Sequence, residues 1–342
     1  MTVIPEALLW RSADVGGIED FAVDLSPAPV ESVSRAAREL GAQGVRAEAV
    51  TVSHLELGEL GPILDAVGAE LMAGAGLTLV RGFPVDELSA EELEIFFWRV
   101  GLHLGRPVSQ SVMGERLGRV TDVTDRDPHA RAYRNRNELT PHSDPADMLS
   151  FLCVRGAASG GVSRFVSAMT IHEELRQSRP DLLAVLYRGF HYHRFGEHAP
   201  GNAPITPHRI PVFSECEGVI SCRYVRQFIE LAAHEDPDIE ITAVEREALD
   251  QLEALAARPD LHLEFTLAPG EAVFANNFTV LHARSAFEDP ADPTRGRLLL
   301  RLWLAADPSR PILPEVAIYE DGPGITPQPG REPSFPADVG VN

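Results

Sequence analysis

Two residues suited to metal chemistry, His142 and Asp144, lie two positions apart in the stretch LTPHSDPADMLSFLCV. Side chains on an extended chain alternate between two faces, so residues two apart can point to the same side. An imidazole and a carboxylate suit Fe(II), Mn(II) or Zn(II), and a second histidine from elsewhere would complete a facial triad with open coordination positions. The same spacing also arises by chance, as in His234 and Asp236, so the pair alone leaves a metal site and an ordinary loop equally open.

A second group of chemically capable residues lies nearer the C-terminus. A strand-like apolar run ends at His282, Arg297 follows fifteen residues later, and Arg301 comes four residues after that. In a strand, Arg297 and Arg301 would share one face. Arginines are costly to bury without anionic partners. Either this face binds a carboxylate, which arginine grips through paired hydrogen bonds, or the strand is a solvent-exposed edge.

The stretch GFHYHRFGEH offers a rival metal site. His191 and His193 precede Glu197, an order similar to the first metal motif of the cupins, but the second cupin motif does not follow downstream. A cupin-like metalloenzyme using His191, His193 and Glu197 is therefore an alternative interpretation, beside strand and loop histidines without a metal. A protein that uses the same fold for binding, without catalysis, is a further alternative.

The elements that must position these residues change in character along the chain. Residues 1–105 are mainly helical in pattern, with a short buried strand at LTLVRG and a capping box that begins at Ser89. From about residue 106 to 305, short apolar runs separated by Gly and Pro predict a sandwich or barrel with helices at about 170–187 and 223–257. A second capping box begins at Thr242. Residues 321–342 are rich in Pro and Gly and are either an extended arm or disordered.

Charge and composition exclude several functions. The chain has 342 residues and a net charge of −21, which is unfavourable for binding nucleic acid or an anionic membrane surface. All 30 basic residues are arginine, which excludes every mechanism that requires a lysine. Three cysteines without a C-x-x-C motif fit a reducing compartment. No signal peptide or membrane-spanning run is recognisable, so we expect a cytoplasmic protein.

The ordered motifs together resemble one enzyme family. LTLVRGFPV, HSD, ASGGVS, FANNFTVLHARSAF and RLLLRLWL occur in the order found in the taurine dioxygenase-like (TauD/TfdA) oxygenases of the clavaminate-synthase-like group. The resemblance covers about residues 75–305. It implies an α+β protein with a double-stranded β-helix (jelly-roll) core and flanking helices, so we expect one oxygenase domain over residues 1–320. It also implies an enzyme that uses Fe(II), 2-oxoglutarate and O2.

The resemblance further implies roles for individual residues. His142, Asp144 and His282 would bind iron, Arg297 would pair with the distal carboxylate of 2-oxoglutarate, and Ser163 would hydrogen-bond the same group. Arg301 would hold an anionic group of the substrate. Arg284 is left open between a supporting role at the site and a surface charge.

The expected reaction follows from the same resemblance. The enzyme would oxidise, most simply hydroxylate, a C–H bond of a small polar substrate that carries a carboxylate, such as an amino acid or a specialised-metabolite intermediate. 2-Oxoglutarate would be converted to succinate and CO2. Halogenases of this group replace the aspartate ligand with a small residue to make room for chloride, and Asp144 is present, so we expect no halogenation.

Overall fold

The computed structural model describes residues 2–124, 135–320 and 322–330. Within these ranges the helices are α1 (Pro27–Ala42), α2 (Leu60–Ala73), α3 (Ala90–Leu104), α4 (Ala168–Ser178), α5 (Pro180–Arg188), α6 (Arg226–Glu235) and α7 (Ala243–Ala256). The strands are β1 (Ala22–Asp24), β2 (Leu77–Arg81), β3 (Arg106–Pro107), β4 (Leu117–Val120), β5 (Leu139–His142), β6 (Met148–Arg155), β7 (Ser159–Gly160), β8 (Ser163–Ser167), β9 (Phe213–Cys216), β10 (Val219–Cys222), β11 (His262–Phe265), β12 (Glu271–Asn276), β13 (Val280–Arg284), β14 (Phe287–Glu288) and β15 (Leu298–Ala305).

Two facing sheets form the core. The larger sheet has the order β1-β2-β12-β6-β15-β3, with β4 paired to β15 beside β3, and the smaller sheet has the order β11-β8-β13-β5. Both sheets are antiparallel except for the parallel pair β1 and β2. The expected α+β class with a jelly-roll core is confirmed. The strands β1 and β2 come from the mainly helical N-terminal part and extend the larger sheet.

Helices cover the outer face of the larger sheet because its strands are apolar on both faces. On β15, Leu300, Leu302 and Leu304 pack into the cluster formed by α1, α2 and α3, whereas Leu299 and Trp303 belong to the cluster between the sheets. The two faces therefore separate along β15 with the period of two expected for a strand. This alternation directs Arg301 into the space between the sheets.

Capping explains where two of the helices begin. The predicted boxes at Ser89 and Thr242 are confirmed: each hydroxyl accepts a hydrogen bond from the third helical residue, whose glutamate side chain accepts from the capping residue's N–H. Each box satisfies two N–H groups that the first turn of a helix leaves without an intrahelical acceptor. The helical ranges expected at about 170–187 and 223–257 each contain two helices, α4 and α5 in the first and α6 and α7 in the second.

The stretch GFHYHRF does not form the strand that its alternation predicts. Only isolated bridges occur there, Phe190 with Ile210 and His193 with Ile205. The segment is held by buried side chains and by irregular backbone hydrogen bonds instead of a continuous ladder.

The Pro/Gly-rich C-terminal segment begins as an extended arm. The backbone N–H groups of Gly324, Ile325 and Gln328 donate to carbonyls of Pro145, Ser109 and Val112 at 2.6 to 2.9 Å. Residues 321 and 331–342 lie outside the described ranges. Among the described residues, no helix has both the length and the apolar character needed to cross a bilayer.

Candidate active site

Strand register brings His142 and His282 together. The two histidines are direct partners across the antiparallel pair β5 and β13. Their ring centroids lie 4.2 Å apart. Asp144 follows β5, and its carboxylate oxygens lie 4.0 Å from His142 Nε2 and 3.7 Å from His282 Nε2. The three donor atoms lie within 4.8 Å of one another, so these residues could hold one metal ion.

The protonation states of the buried groups suit metal binding. Burial, together with the neighbouring His142, lowers the pKa of His282 to about 3. Burial by itself would raise the pKa of Asp144, but His282, Arg301 and His142 together bring it below its usual value. A neutral imidazole and an ionised carboxylate at neutral pH are the forms that bind a metal.

Hydrogen bonds and packing orient the histidine rings. His142 Nδ1 lies 2.8 Å from the carbonyl of Thr140, so its Nδ1–H can donate there and direct Nε2 into the site. His282 lies against the rings of Phe151 and Phe165, with centroid separations of 5.9 and 6.1 Å. His282 is 7% exposed, so its ring is fixed by the residues around it.

The three residues open into a cavity between the two sheets. The cavity measures about 520 Å³ including its open mouth. Its lining includes the predicted residues Ser163, Arg297 and Arg301 and the undecided Arg284. The three arginines are each at most 7% exposed. Buried positive charge is costly unless an acceptor balances it. Among the described residues, Arg284 Nε and Arg297 Nη1 have no hydrogen-bond partner, which favours an anionic ligand in this cavity.

Arg297 is held at one side of the cavity with part of its guanidinium unsatisfied. Its Cζ lies 5.1 Å from the ring of Phe287, and its Nη1 has no hydrogen-bond partner among the described residues. Burial lowers the pKa of Arg297. Gly161, with φ +68°, packs so closely that an added Cβ would lie 3.3 Å from Arg297 Nε. The Gly-Gly turn therefore makes space for the arginine.

Ser163 and Arg284 face each other across the pair β8 and β13. The guanidinium of Arg284 donates through Nη2 to the carbonyls of Asn135 and Asn137, and its Nε has no partner among the described residues. Burial lowers the pKa of Arg284 to about 9. The structure thus excludes the surface-charge interpretation of Arg284 and places it in the cavity wall.

The charge of Arg301 helps to lower the pKa of Asp144, a candidate metal ligand. Its Nε donates to Gln110 Oε1 at 2.6 Å, and Gln110 Nε2 donates back to the Arg301 carbonyl at 2.9 Å. Its Cζ lies 4.6 Å from the ring of Trp303. Trp303 Nε1 in turn donates to Asp144 Oδ2 at 2.8 Å.

Two of these contributors were not found from the sequence. Trp303 had a usable signal, because it follows Arg301 by two positions on a strand and so shares its face. Gln110 had none, because its contact with Arg301 joins residues 191 positions apart.

The rival histidines do not form a metal site among the described residues, where His142, Asp144 and His282 are the one group that could hold an ion. His191 Nδ1 lies 2.8 Å from the Thr206 carbonyl, and His193 Nε2 lies 3.0 Å from Glu235. Glu197 accepts a hydrogen bond from Tyr319 at 3.1 Å. The cupin-like interpretation therefore has no support.

The fold and the site together define a jelly-roll protein with a His-Asp-His triad in the wall of an arginine-lined cavity, the class to which non-haem iron oxygenases belong. Comparison with known proteins agrees. The family described as "Taurine catabolism dioxygenase TauD, TfdA family" matches residues 36–303. The chain belongs to this family and is an Fe(II)- and 2-oxoglutarate-dependent dioxygenase.

Similar curated proteins cover most of the chain. FR-33289 synthase of Streptomyces rubellomurinus is 30% identical over 307 residues, which span 88% of this chain and 90% of the relative. Taurine hydroxylase-like protein SAT17 of Stachybotrys chartarum is 26% identical over 310 residues, 87% of this chain and 78% of the relative.

Solved structures share the fold. Asparagine oxygenase in complex with Fe(II), hydroxyasparagine and succinate superposes with a TM-score of 0.63 at 17% identity, covering 83% of this chain and 93% of that chain. The non-haem iron oxygenase OrfP in complex with Fe and α-ketoglutaric acid has a TM-score of 0.60 at 16% identity, covering 83% and 94%.

Proposed function

We propose that His142, Asp144 and His282 bind the iron of this dioxygenase. The observation that carries this proposal is their convergence, with donor atoms within 4.8 Å of one another. Two imidazoles and one carboxylate are the donor set of non-haem Fe(II) oxygenases. Three protein donors leave half of an octahedral sphere for other ligands.

Arg297 and Ser163 are proposed to bind the distal carboxylate of 2-oxoglutarate. The fit is supported by Arg297 Nη1, which is buried without a hydrogen-bond partner among the described residues and lines the same cavity as the triad. A carboxylate would satisfy this donor and balance its charge. Ser163 lines the cavity and can add a hydroxyl hydrogen bond. When bound, iron and 2-oxoglutarate supply the oxidising chemistry, in which 2-oxoglutarate becomes succinate and CO2.

The substrate that we propose is a small polar molecule with a carboxylate, such as an amino acid or a specialised-metabolite intermediate. Arg301 supports this class because it is 3% exposed, lines the cavity and is held rigidly by Gln110 and Trp303. The asparagine oxygenase and OrfP structures hold hydroxyasparagine and hydroxyarginine, respectively. Arg301 would orient the substrate by its anionic end so that one C–H bond faces the metal.

Hydroxylation is the proposed outcome, not halogenation. A halogenase needs the carboxylate ligand replaced by a small residue, and in this chain Asp144 is present and aimed between the two histidines. A chlorinated product from an assay in chloride would contradict this assignment.

We also propose that residues 1–320 form one oxygenase domain, with 321–342 as a tail. The support is structural continuity, because β1 and β2 of the N-terminal part pair into the same sheet as β12, β6 and β15.

The first test is a binding measurement. Fe(II) and 2-oxoglutarate are added to the protein without oxygen, and the weak visible charge-transfer band of chelated 2-oxoglutarate is recorded. We expect a band in the wild type and none in His142→Ala, whereas His191→Ala, at the rival histidine, keeps it. A band that survives His142→Ala and disappears in His191→Ala would overturn the site.

The second test addresses the substrate. Free L-amino acids are compared with their methyl esters for stimulation of succinate release, and products are examined for the gain of one oxygen atom. Stimulation by an acid but not by its ester supports recognition of a carboxylate. Equal stimulation by both would contradict the role of Arg301.

A further inference from the structure

The hydrogen bond between Trp303 and Asp144 is the feature that the proposed site does not yet use. Trp303 Nε1 donates to Asp144 Oδ2 at 2.8 Å, and both residues are at least nine-tenths buried. A hydrogen bond from a donor to a carboxylate in such surroundings is stronger and more directional than the same bond in water. It engages one of the two oxygens of a candidate metal ligand.

We propose that Trp303 is a positioning residue that leaves Asp144 a single oxygen for the metal and so preserves room for 2-oxoglutarate beside it. This inference rests on the proposed function of the triad. An ionised carboxylate can bind a metal through one oxygen or through both. If both oxygens of Asp144 bound the metal, they would take up a coordination position that 2-oxoglutarate needs. The indole N–H of Trp303 favours binding through one oxygen, because it already donates a hydrogen bond to Oδ2.

The backbone of Asp144 is held independently of Trp303. Its N–H donates to Asn277 Oδ1 at 3.2 Å, and its carbonyl accepts a hydrogen bond from the buried Arg223 guanidinium. A few residues further on, Asp147 N–H donates to the Leu304 carbonyl at 3.1 Å. The freedom left to Asp144 is therefore rotation of its side chain, and this is what the indole restricts.

The position of Trp303 is fixed by its strand and by a contact with its ring. Trp303 is paired with Leu149 in the ladder between β15 and β6. The guanidinium carbon of Arg301 lies 4.6 Å from its ring centroid, an attractive cation–π contact. Arg301, Trp303 and Asp144 thus form a continuous series of contacts from the proposed substrate side to the proposed metal side.

Trp303→Phe removes the N–H and keeps an aromatic ring under Arg301. The matched control is Trp98→Phe, because Trp98 is also buried and donates to a backbone carbonyl, that of Val50 at 3.0 Å, in the helical layer behind the larger sheet. Both variants lose one buried hydrogen bond. Only Trp303 touches the proposed metal site.

The test titrates Fe(II) and 2-oxoglutarate into each protein without oxygen and follows the charge-transfer band. Loss of a hydrogen bond to a metal ligand typically costs 10- to 100-fold in metal affinity or activity. We expect Trp303→Phe to need about tenfold more 2-oxoglutarate for half of the band and to shift its maximum. Trp98→Phe should match the wild type.

A second measurement does not depend on the Trp303 variant folding. The chain has three tryptophans, so a spectrum of the ¹⁵N-tryptophan-labelled protein resolves three indole N–H signals. Trp10→Phe and Trp98→Phe assign two of them and leave the third to Trp303. Addition of Zn(II) as a diamagnetic probe should move the Trp303 signal and leave the Trp98 signal in place.

The outcomes separate this inference from the function on which it rests. A wild type without any band would overturn the proposed function and this inference together. A wild-type band that Trp303→Phe leaves unchanged in position and in 2-oxoglutarate affinity would overturn only the role of Trp303. A Trp303 indole signal that Zn(II) does not move, although Zn(II) binds, would do the same.

Discussion

At the scale of single residues, buried charge is the dominant property of the site. Arg284, Arg297 and Arg301 line a cavity whose described wall contains one carboxylate, Asp144. The rest of the chain has the opposite balance, with a net charge of −21. The cavity therefore attracts anions although the protein as a whole is acidic. We expect each arginine to bind the anionic group of the ligand that lies nearest to it.

Two arginine variants should separate the binding of the two organic ligands. Arg301→Ala should raise the half-saturating concentration of the substrate by about 30-fold or more and affect 2-oxoglutarate less, because losing one partner of a buried charge pair costs about 2–5 kcal/mol. Arg297→Ala should do the reverse. Steady-state kinetics with each ligand varied in turn measures both effects. Equal effects of either variant on the two ligands would refute the division of roles.

At the scale of elements, turns and strand register determine where these side chains stand. The Gly-Gly turn before β8 lets Arg297 approach the backbone. Strand β13 pairs with β8 on one edge and β5 on the other, and its residues His282 and Arg284 line the cavity. A change in the turn should therefore act on ligand binding through Arg297, without removing a ligand-binding side chain.

Gly161→Ala tests this dependence. Gly161 has φ +68°, and an added Cβ would lie 3.3 Å from Arg297 Nε. Gly218→Ala is the control, because its φ is +76° and a Cβ there would meet nothing within 4 Å. Both variants should lose about 1–2 kcal/mol of stability from the left-handed backbone, but only Gly161→Ala should weaken 2-oxoglutarate binding. Indistinguishable 2-oxoglutarate titrations for the two variants would count against the packing role of Gly161.

Helix capping provides a second prediction at this scale. The Ser89 hydroxyl caps α3, whereas Ser26 precedes α1 without a side-chain capping hydrogen bond. Ser89→Ala should reduce the free energy of unfolding by about 1 kcal/mol, and Ser26→Ala should reduce it by less. Urea unfolding of the two variants checks the difference. A larger loss in Ser26→Ala would contradict the capping argument.

At the scale of the whole molecule, two apolar clusters hold the sheets and helices together. One cluster lies between the sheets and extends to residues of α4, α5, α6 and α7. The other joins α1, α2 and α3 to the outer face of the larger sheet. Histidines away from the site are buried with the first cluster. Burial lowers the pKa of His172 to about 4 from its usual 6.5, and burial also lowers the pKa of His193.

These histidines predict a loss of stability in mild acid. Below pH 6.5 the unfolded chain binds protons that the buried neutral rings do not, so stability falls as the pH decreases. From pH 7 to pH 5 His172 should contribute a loss of about 1–2 kcal/mol. Burial raises the pKa of Asp147, so the folded protein binds a proton there more readily than the unfolded chain. This one group therefore partly offsets the loss of stability as the pH decreases. Urea unfolding of the metal-free protein at several pH values measures how the free energy of unfolding depends on pH. His172→Gln should weaken this dependence. An unchanged dependence would contradict the contribution of His172.

Local periodicity accounts for what the sequence by itself determined. Alternation predicted that His142 and Asp144 point toward one place, and both line the cavity. It also predicted Arg297 and Arg301 on one face of a strand. Both arginines do line the cavity, but Arg297 precedes β15, whose ladder has a register irregularity at Leu298 and Leu299. The capping boxes at Ser89 and Thr242 were also predictable, because each is formed by residues within a span of four. The family resemblance assigned roles to His282 and Ser163, and both line the cavity with the other predicted residues.

Only the tertiary structure decided which residues meet across long separations. The pairing of His282 with His142, the contact of Gln110 with Arg301, and the hydrogen bond from Trp303 to Asp144 join residues far apart in the chain. Sheet register and packing create these contacts, and both depend on cooperative pairing of whole strands. The stretch GFHYHRF alternates like a strand but forms only isolated bridges, because it has no partner strand. A local pattern therefore does not by itself produce a ladder.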